Sequence, residues 1–243
     1  MKGCKVLGVK GDPLNPLEII ERAKKDGRKV LLEPESKTLC SLYGIPVTVF
    51  DVAKDEEEAV EKAKKVGFPI VMKIVSPDVL HKSEAGGVVV GVKDEEEVRR
   101  RYKEIIGNVK KHIPNARIYG ILIQEMAPQG IETIVGCIKD PQFGHAVMFG
   151  LGGIFVEVLK DVAFRVAPLS KEDAEDMIKE IKGYPILKGY RGSKPADTAS
   201  LIDILLKVSK MVEELPIINQ MDLNPVFVYE KGAKVIDARI IID

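Results

Sequence analysis

Three apolar stretches follow one another with no helix between them: Ile118 to Met126, Glu132 to Ile138 and His145 to Phe149. Gln129-Gly130 and Lys139-Asp140-Pro141 join them, and both are turn chemistry. Parallel neighbours need a crossover of about a dozen residues or more, usually a helix. This run is therefore an antiparallel meander. It argues against a doubly wound parallel sheet and for an α+β chain.

The remaining pattern fits that class. Pro16 to Asp26 reads as a helix with Leu17, Ile20 and Ala23 on one face, stopped by Gly27. A second helix spans about Glu33 to Tyr43, with Leu39 and Leu42 facing inward. Val47 to Phe50 reads as a short strand, and a charged helix runs from about Asp55 to Val66. Ile70 to Val75 and Gly87 to Val92 are strands. Asp94 caps a helix of about 12 residues. Ser170-Lys171-Glu172-Asp173 is a capping box, Ala196 to Leu215 is the longest helical candidate, and Val226 to Tyr229 and Lys234 to Asp237 close the chain as strands.

Composition narrows the partners. Lys plus Arg and Asp plus Glu each total 37 in 243 residues, which gives a nucleic-acid partner little support. No apolar run approaches the roughly 18 residues of a membrane span, and the start, Met1-Lys2-Gly3-Cys4-Lys5, lacks a signal-peptide core. Cytoplasmic residence is the expectation. Cys4, Cys40 and Cys137 are too scattered for a disulfide framework or a zinc site.

Five groups of residues could carry chemistry. Lys73 interrupts Ile-Val-Met-Lys-Ile-Val; it either snorkels at an edge or aims at an anion. His81-Lys82-Ser83-Glu84-Ala85-Gly86-Gly87 is either a flexible polar loop or a phosphate cradle, since glycines let backbone N–H groups approach phosphate oxygens. Gln124-Glu125-Met126 ends a strand, with Glu132 shortly after; a surface acidic pair and a purine-and-ribose site are both open readings. Phe149-Gly150-Leu151-Gly152-Gly153 is a glycine-dense turn, with Glu157 and Asp161 nearby. Asp222-Leu223-Asn224-Pro225 with Asp237 offers hard oxygens suited to Mg²⁺, or merely an Asx turn and a surface aspartate.

Taken together and in order, these groups resemble the ATP-grasp superfamily. Lys73 matches its phosphate-holding strand lysine, Gln124, Glu125 and Met126 its adenine hinge, and Glu132 its ribose glutamate. Asp222-Leu223-Asn224-Pro225 resembles the metal motif of succinyl-CoA synthetase β subunits, and Asp237 their second metal carboxylate. His81 through Gly87, Phe149 through Val158 and Gly189-Tyr190-Arg191-Gly192 look like the β subunit of ADP-forming acetate–CoA ligase. The resemblance implies an ATP-grasp fold of two lobes, 12–109 and 110–243, with a nucleotide cleft between them. It implies Mg²⁺ on Asn224 and Asp237, ADP or ATP as ligand, and a CoA-binding α subunit as partner in an α2β2 assembly. It also implies that His81 takes phosphate from an α-subunit phosphohistidine and passes it to ADP. Lys73 and the backbone at Gly86 and Gly87 would neutralise charge, with Lys82 a further candidate donor. A stand-alone ATP-grasp carboxylate ligase working through an acyl phosphate is the alternative.

Overall fold

The computed structural model describes residues 15–79, 81–153, 156, 158–190, 192 and 194–243. They divide into two compact units. The first takes 15–19, Leu32–Thr38 and Thr48–Pro128; the second takes Ile20–Leu31, Leu39–Val47 and Gln129–Asp243. This differs from a division at residue 109, because the strand Gly120–Glu125 hydrogen-bonds into the first unit's sheet.

The first unit holds β1 (Phe50–Ala53), α3 (Glu56–Val66), β2 (Ile70–Val75), β3 (Val88–Val92), α4 (Glu95–His112) and β4 (Gly120–Glu125), with the first half of α2 (Glu33–Leu42). Its sheet has the order β1-β4-β2-β3, every pair antiparallel. Asp55 and Asp94 cap α3 and α4 by accepting from Glu58 N and Glu97 N, as their sequence positions predict. Two expectations need correction. The strand begins at Phe50 rather than Val47, which instead forms an isolated bridge to Val235. α4 has 18 residues, because Val98, Ile105 and Val109 carry its buried face well past Gly107.

Side chains alternate across a strand, and β2 uses both faces. Ile70, Met72 and Ile74 pack with Ala59 and Ala63 of α3 and with Val98, Ile105 and Val109 of α4. Lys73 must therefore point to the other face, where β4 presents Gln124.

The second unit is built on a six-stranded antiparallel sheet. Its strands are β5 (Ile131–Asp140), β6 (Gly144–Leu151), β7 (Val162–Val166), β8 (Ile218–Val228), β9 (Ala233–Val235) and β10 (Ala238–Ile242). The order is β10-β8-β5-β6-β7, with β9 also on β8. The helices are α1 (Pro16–Lys25, mostly in this unit), α5 (Lys171–Glu180), α6 (Tyr184–Leu187) and α7 (Thr198–Glu214). The capping box at Ser170 and Asp173 forms as read. β7, β10 and the first half of β8 go beyond the strands read from the sequence. Among the described residues no helix is long and apolar enough to cross a membrane.

The face of the first sheet away from α3 and α4 is polar and buried. Glu33 and Lys37, one turn apart on α2, lie there with Lys73. Burial alone would raise the Glu33 pKa, but the ammoniums of Lys37, Lys73 and Lys82 overcome it and hold the carboxyl at about 2 against an ordinary 4.5. A folded pKa below the unfolded one contributes stability that is complete above about pH 4.5 and is lost as pH falls toward about 2. Glu33→Gln should cost about 3 kcal/mol at neutral pH. It should also flatten the dependence of the urea midpoint on pH across that acid range. A second test addresses packing. Gly120 has φ 144°, and a Cβ there would lie 2.3 Å from the carbonyl oxygen of Ala53. Gly120→Ala should destabilise the protein by at least about 2 kcal/mol in urea unfolding, since backbone, not a flexible side chain, must yield.

Candidate functional site

In the first unit the chemistry gathers around one carboxylate. Lys73 Nζ lies 2.6 Å from Glu33 Oε1, and Lys82 Nζ lies 2.6 Å from Glu33 Oε2. Lys37 Nζ stands 3.3 Å from Oε1 and donates to Thr48 Oγ1 at 2.9 Å and to Gln124 Oε1. The Glu33 side chain is only 3% exposed, so both oxygens are fixed. Lys73 is thus no snorkelling edge residue: it sits on a central strand, paired with Val88 on one side and Leu122 on the other.

His81 is next to Lys82 in sequence but differs in setting. Its side chain is 77% exposed, and Nδ1 lies 3.9 Å from the exposed Glu84. An exposed imidazole is chemically suited to meeting a phosphoryl group from another molecule.

Several predicted residues serve differently than expected. The N–H groups of Gly86 and Gly87 donate within the loop, to Ser83 O and Lys82 O. The two glycines instead permit close packing: Gly86 has φ 64° with Asn108 against it, and a Cβ on Gly87 would strike Ile74 at 2.6 Å. This corrects the expectation of an amide cradle. Gln124 is 1% exposed, its amide oxygen taken by Lys37. Glu125 accepts from Val49 N at 2.7 Å and donates its own N–H to Val49 O. Met126 alone of the three presents a largely exposed side chain, and the chain leaves the first unit two residues later, after Pro128.

The second unit collects acidic oxygens. Glu132, exposed on β5, accepts from Gly152 N through its carbonyl. A Cβ on Gly152 would sit 3.0 Å from the Glu132 Cβ, so the glycine turn exists to let β6 close against this residue. On β8, Asn224 N donates to the carbonyl of Asp237, which lies between β9 and β10. Asp222, two residues before Asn224, has a buried Oδ1 with no hydrogen-bond partner. Burial, and then the nearby Asp237 carboxylate, raise its pKa, opposed by Arg239.

An orphaned carboxylate oxygen near a second carboxylate is a donor set suited to a hard cation. Among the described residues no group of three or more His, Cys, Asp and Glu gathers as a metal cluster. Two carboxylates and an amide still fit Mg²⁺, which usually shares its sphere with phosphate and water.

Asp161, noted near the glycine turn, accepts from Lys182 N and Gly183 N and is a structural clamp. Arg191 and Glu157 lie outside the described residues. Sequence reasoning missed Glu33 and Lys37. The available signal was a Glu and Lys at helical spacing, and that pattern marks far more solvent faces than cores.

The ATP-grasp domain family model matches residues 22–242. The acetate–CoA ligase (ADP-forming) I subunit beta of Pyrococcus furiosus is 55% identical over 225 residues, covering 93% of this chain and 97% of that one. The acetate–CoA ligase (ADP-forming) I of Archaeoglobus fulgidus is 46% identical over 225 residues, 93% of this chain but 33% of that longer protein. A solved structure of Ca. Korarchaeum cryptofilum dinucleotide forming acetyl-coenzyme A synthetase 1 matches with TM-score 0.85 and 51% identity, over 94% of this chain and 100% of that one. It is described as in complex with coenzyme A and Mg-AMPPCP, its phosphohistidine segment pointing towards the nucleotide binding site. The chain belongs to the ATP-grasp family, in the β-subunit group of the ADP-forming acetate–CoA ligases.

Proposed function

We propose that His81 is the phosphoryl carrier of this subunit, taking phosphate from a phosphohistidine on a CoA-binding α subunit and passing it to ADP. The observation that carries this is an exposed imidazole directly beside Lys82, which shares one buried carboxylate with the strand lysine Lys73. In the first transfer the donor's P–N bond breaks as a P–N bond to His81 forms. In the second, that bond breaks as an O–P bond forms to the terminal phosphate of ADP. These two transfers sum to ATP and a free α-subunit histidine from its phosphohistidine and ADP; formation of that phosphohistidine from acyl-CoA and phosphate, with release of acid and CoA, belongs to the α subunit and completes the reversible reaction. Transfer to ADP needs no other covalent step, so this subunit's task is positioning and charge neutralisation.

Lys73 binds the nucleotide phosphates. Met126 and the backbone of the strand end at Gln124 and Glu125 meet the adenine, and Glu132 accepts from ribose hydroxyls. Asn224 and Asp237 hold Mg²⁺, with Asp222 beside them; the ion neutralises phosphate charge when bound. The names of the relatives, a subunit beta and a much longer single chain, support a separate α subunit as partner. An α2β2 assembly fits the prevalence of two-fold oligomers. Cytoplasmic residence fits a nucleotide-dependent ligase with buried Cys40 and Cys137.

His81→Ala should still bind ADP in calorimetry. ATP synthesis from acetyl-CoA, ADP and phosphate, assayed with the α subunit, should fall by at least about 1,000-fold. Wild-type protein should carry an acid-labile, alkali-stable phosphate on His81; an acid-stable one would point to acyl-phosphate chemistry instead. Lys73→Ala should weaken ADP binding about 10- to 100-fold, the loss of one charge-assisted contact. Unchanged affinity would remove Lys73 from the phosphate site.

A further inference from the structure

The segment from His81 to Gly87 folds into one compact turn. Ala85 N donates to His81 O at 3.2 Å, Gly86 N to Ser83 O at 3.1 Å and Gly87 N to Lys82 O at 2.7 Å. Residues three apart in such a turn share a side, and the sequence uses both sides. Lys82 and Ala85 face inward: the first reaches Glu33 Oε2 at 2.6 Å, and the second is buried. His81 and Glu84 face outward, with side chains 77% and 81% exposed, and Glu84 Oε1 lies 3.9 Å from His81 Nδ1. The turn's own backbone bonds hold the two residues together, so the pairing travels with the segment wherever the segment goes.

A separation of 3.9 Å is beyond a hydrogen bond, and an exposed pair of this kind adds little to stability. Its value lies in the nitrogen that it marks. A carboxylate only accepts, so the ring nitrogen facing it is the one that keeps the proton. Nδ1 then bears the N–H, and Nε2 bears the lone pair that can meet phosphorus. When a P–N bond forms at Nε2, the ring becomes a cation with its proton still on Nδ1, and the carboxylate one turn away offsets that charge. The proton also matters to the next step. With it in place, the P–Nε2 bond breaks to release a neutral imidazole; without it, the leaving group would be an imidazolate anion.

We propose that Glu84 is a positioning residue for phosphoryl transfer: it keeps the His81 proton on Nδ1, so that phosphate is carried on Nε2 and departs from a neutral ring. This role rests on reading His81 as the carrier. No proton moves in either transfer. The Nε2 lone pair makes the P–N bond and is recovered when ADP takes the phosphoryl group.

The test compares wild type, Glu84→Gln and Glu84→Asp, each in complex with the α subunit. The complexes are phosphorylated with acetyl-CoA and phosphate and then mixed rapidly with ADP. NMR of the His81 phosphopeptide, isolated at alkaline pH, assigns the nitrogen. In wild type the phosphate should sit on Nε2. In Glu84→Gln a share should appear on Nδ1, and transfer to ADP should slow about 5- to 10-fold with KM for ADP within about twofold. Glu84→Asp should recover most of the rate and the single isomer. Glu84 is exposed, so the urea midpoint should be unchanged in both variants. Phosphate on Nδ1 in wild type overturns the role of Glu84. So does a Glu84→Gln complex that transfers at the wild-type rate from Nε2 alone. A wild type with no phosphate on His81 fails differently: it removes the carrier itself, and the role of Glu84 with it.

Discussion

A lysine in the middle of a central strand is tolerable only if something buried carries the opposite charge. Here that partner is Glu33, whose two oxygens hold Lys73 and Lys82 while Lys37 presses on the same carboxylate. Burying three ionised groups, Glu33, Lys37 and Lys73, is costly, and apolar residues of similar volume would stabilise the sheet at least as well. The first unit shows that it can build an apolar face, because Ile70, Met72 and Ile74 do so on the other side of the same strand. The polar face is therefore better explained by use than by stability. Lysines already pinned in a fixed array need little reorganisation to meet a phosphate anion.

Much of the frame was legible because its signals are local. Asp55, Asp94 and Ser170 mark helix starts by chemistry that acts over three residues. The strand at Ile70–Val75 and the meander from β4 to β6 follow from short apolar runs bounded by turns. The site was legible as residue types but not as contacts. Nothing near Lys73 announces a partner 40 positions upstream. Glu33 and Lys37 have the spacing of an exposed i,i+4 pair, and the apolar Leu39 and Leu42 mark a different face of α2 as the inward one, although Leu42 is 42% exposed.

Other differences have equally specific causes. β7 is an edge strand that leaves Phe164 and Val166 half exposed, so its pattern is short and its burial slight. β8 contains Asn224-Pro225, and proline usually ends a strand; the register shift opposite it, between Thr133 and Val135, accommodates the interruption. Glycines such as Gly86 and Gly87 often let backbone amides serve phosphate. The same residue type also lets a loop lie against a strand, and only coordinates separate the two uses.

The two units carry opposite chemistry. The first offers ammoniums and an imidazole; the second offers Glu132, Asp222, Asp237 and the Asn224 amide. A simple anion would be served by the first set alone, and a simple cation by the second alone. Phosphate oxygens suit the lysines of the first unit, and a divalent ion suits the carboxylates of the second. Asp222 sharpens the point. Its buried Oδ1 has no hydrogen-bond partner among the described residues, and leaving such an oxygen unpaired is unfavourable. The chain's overall charge, 37 basic against 37 acidic residues, thus averages over two strongly polar sites rather than describing an electrically featureless surface.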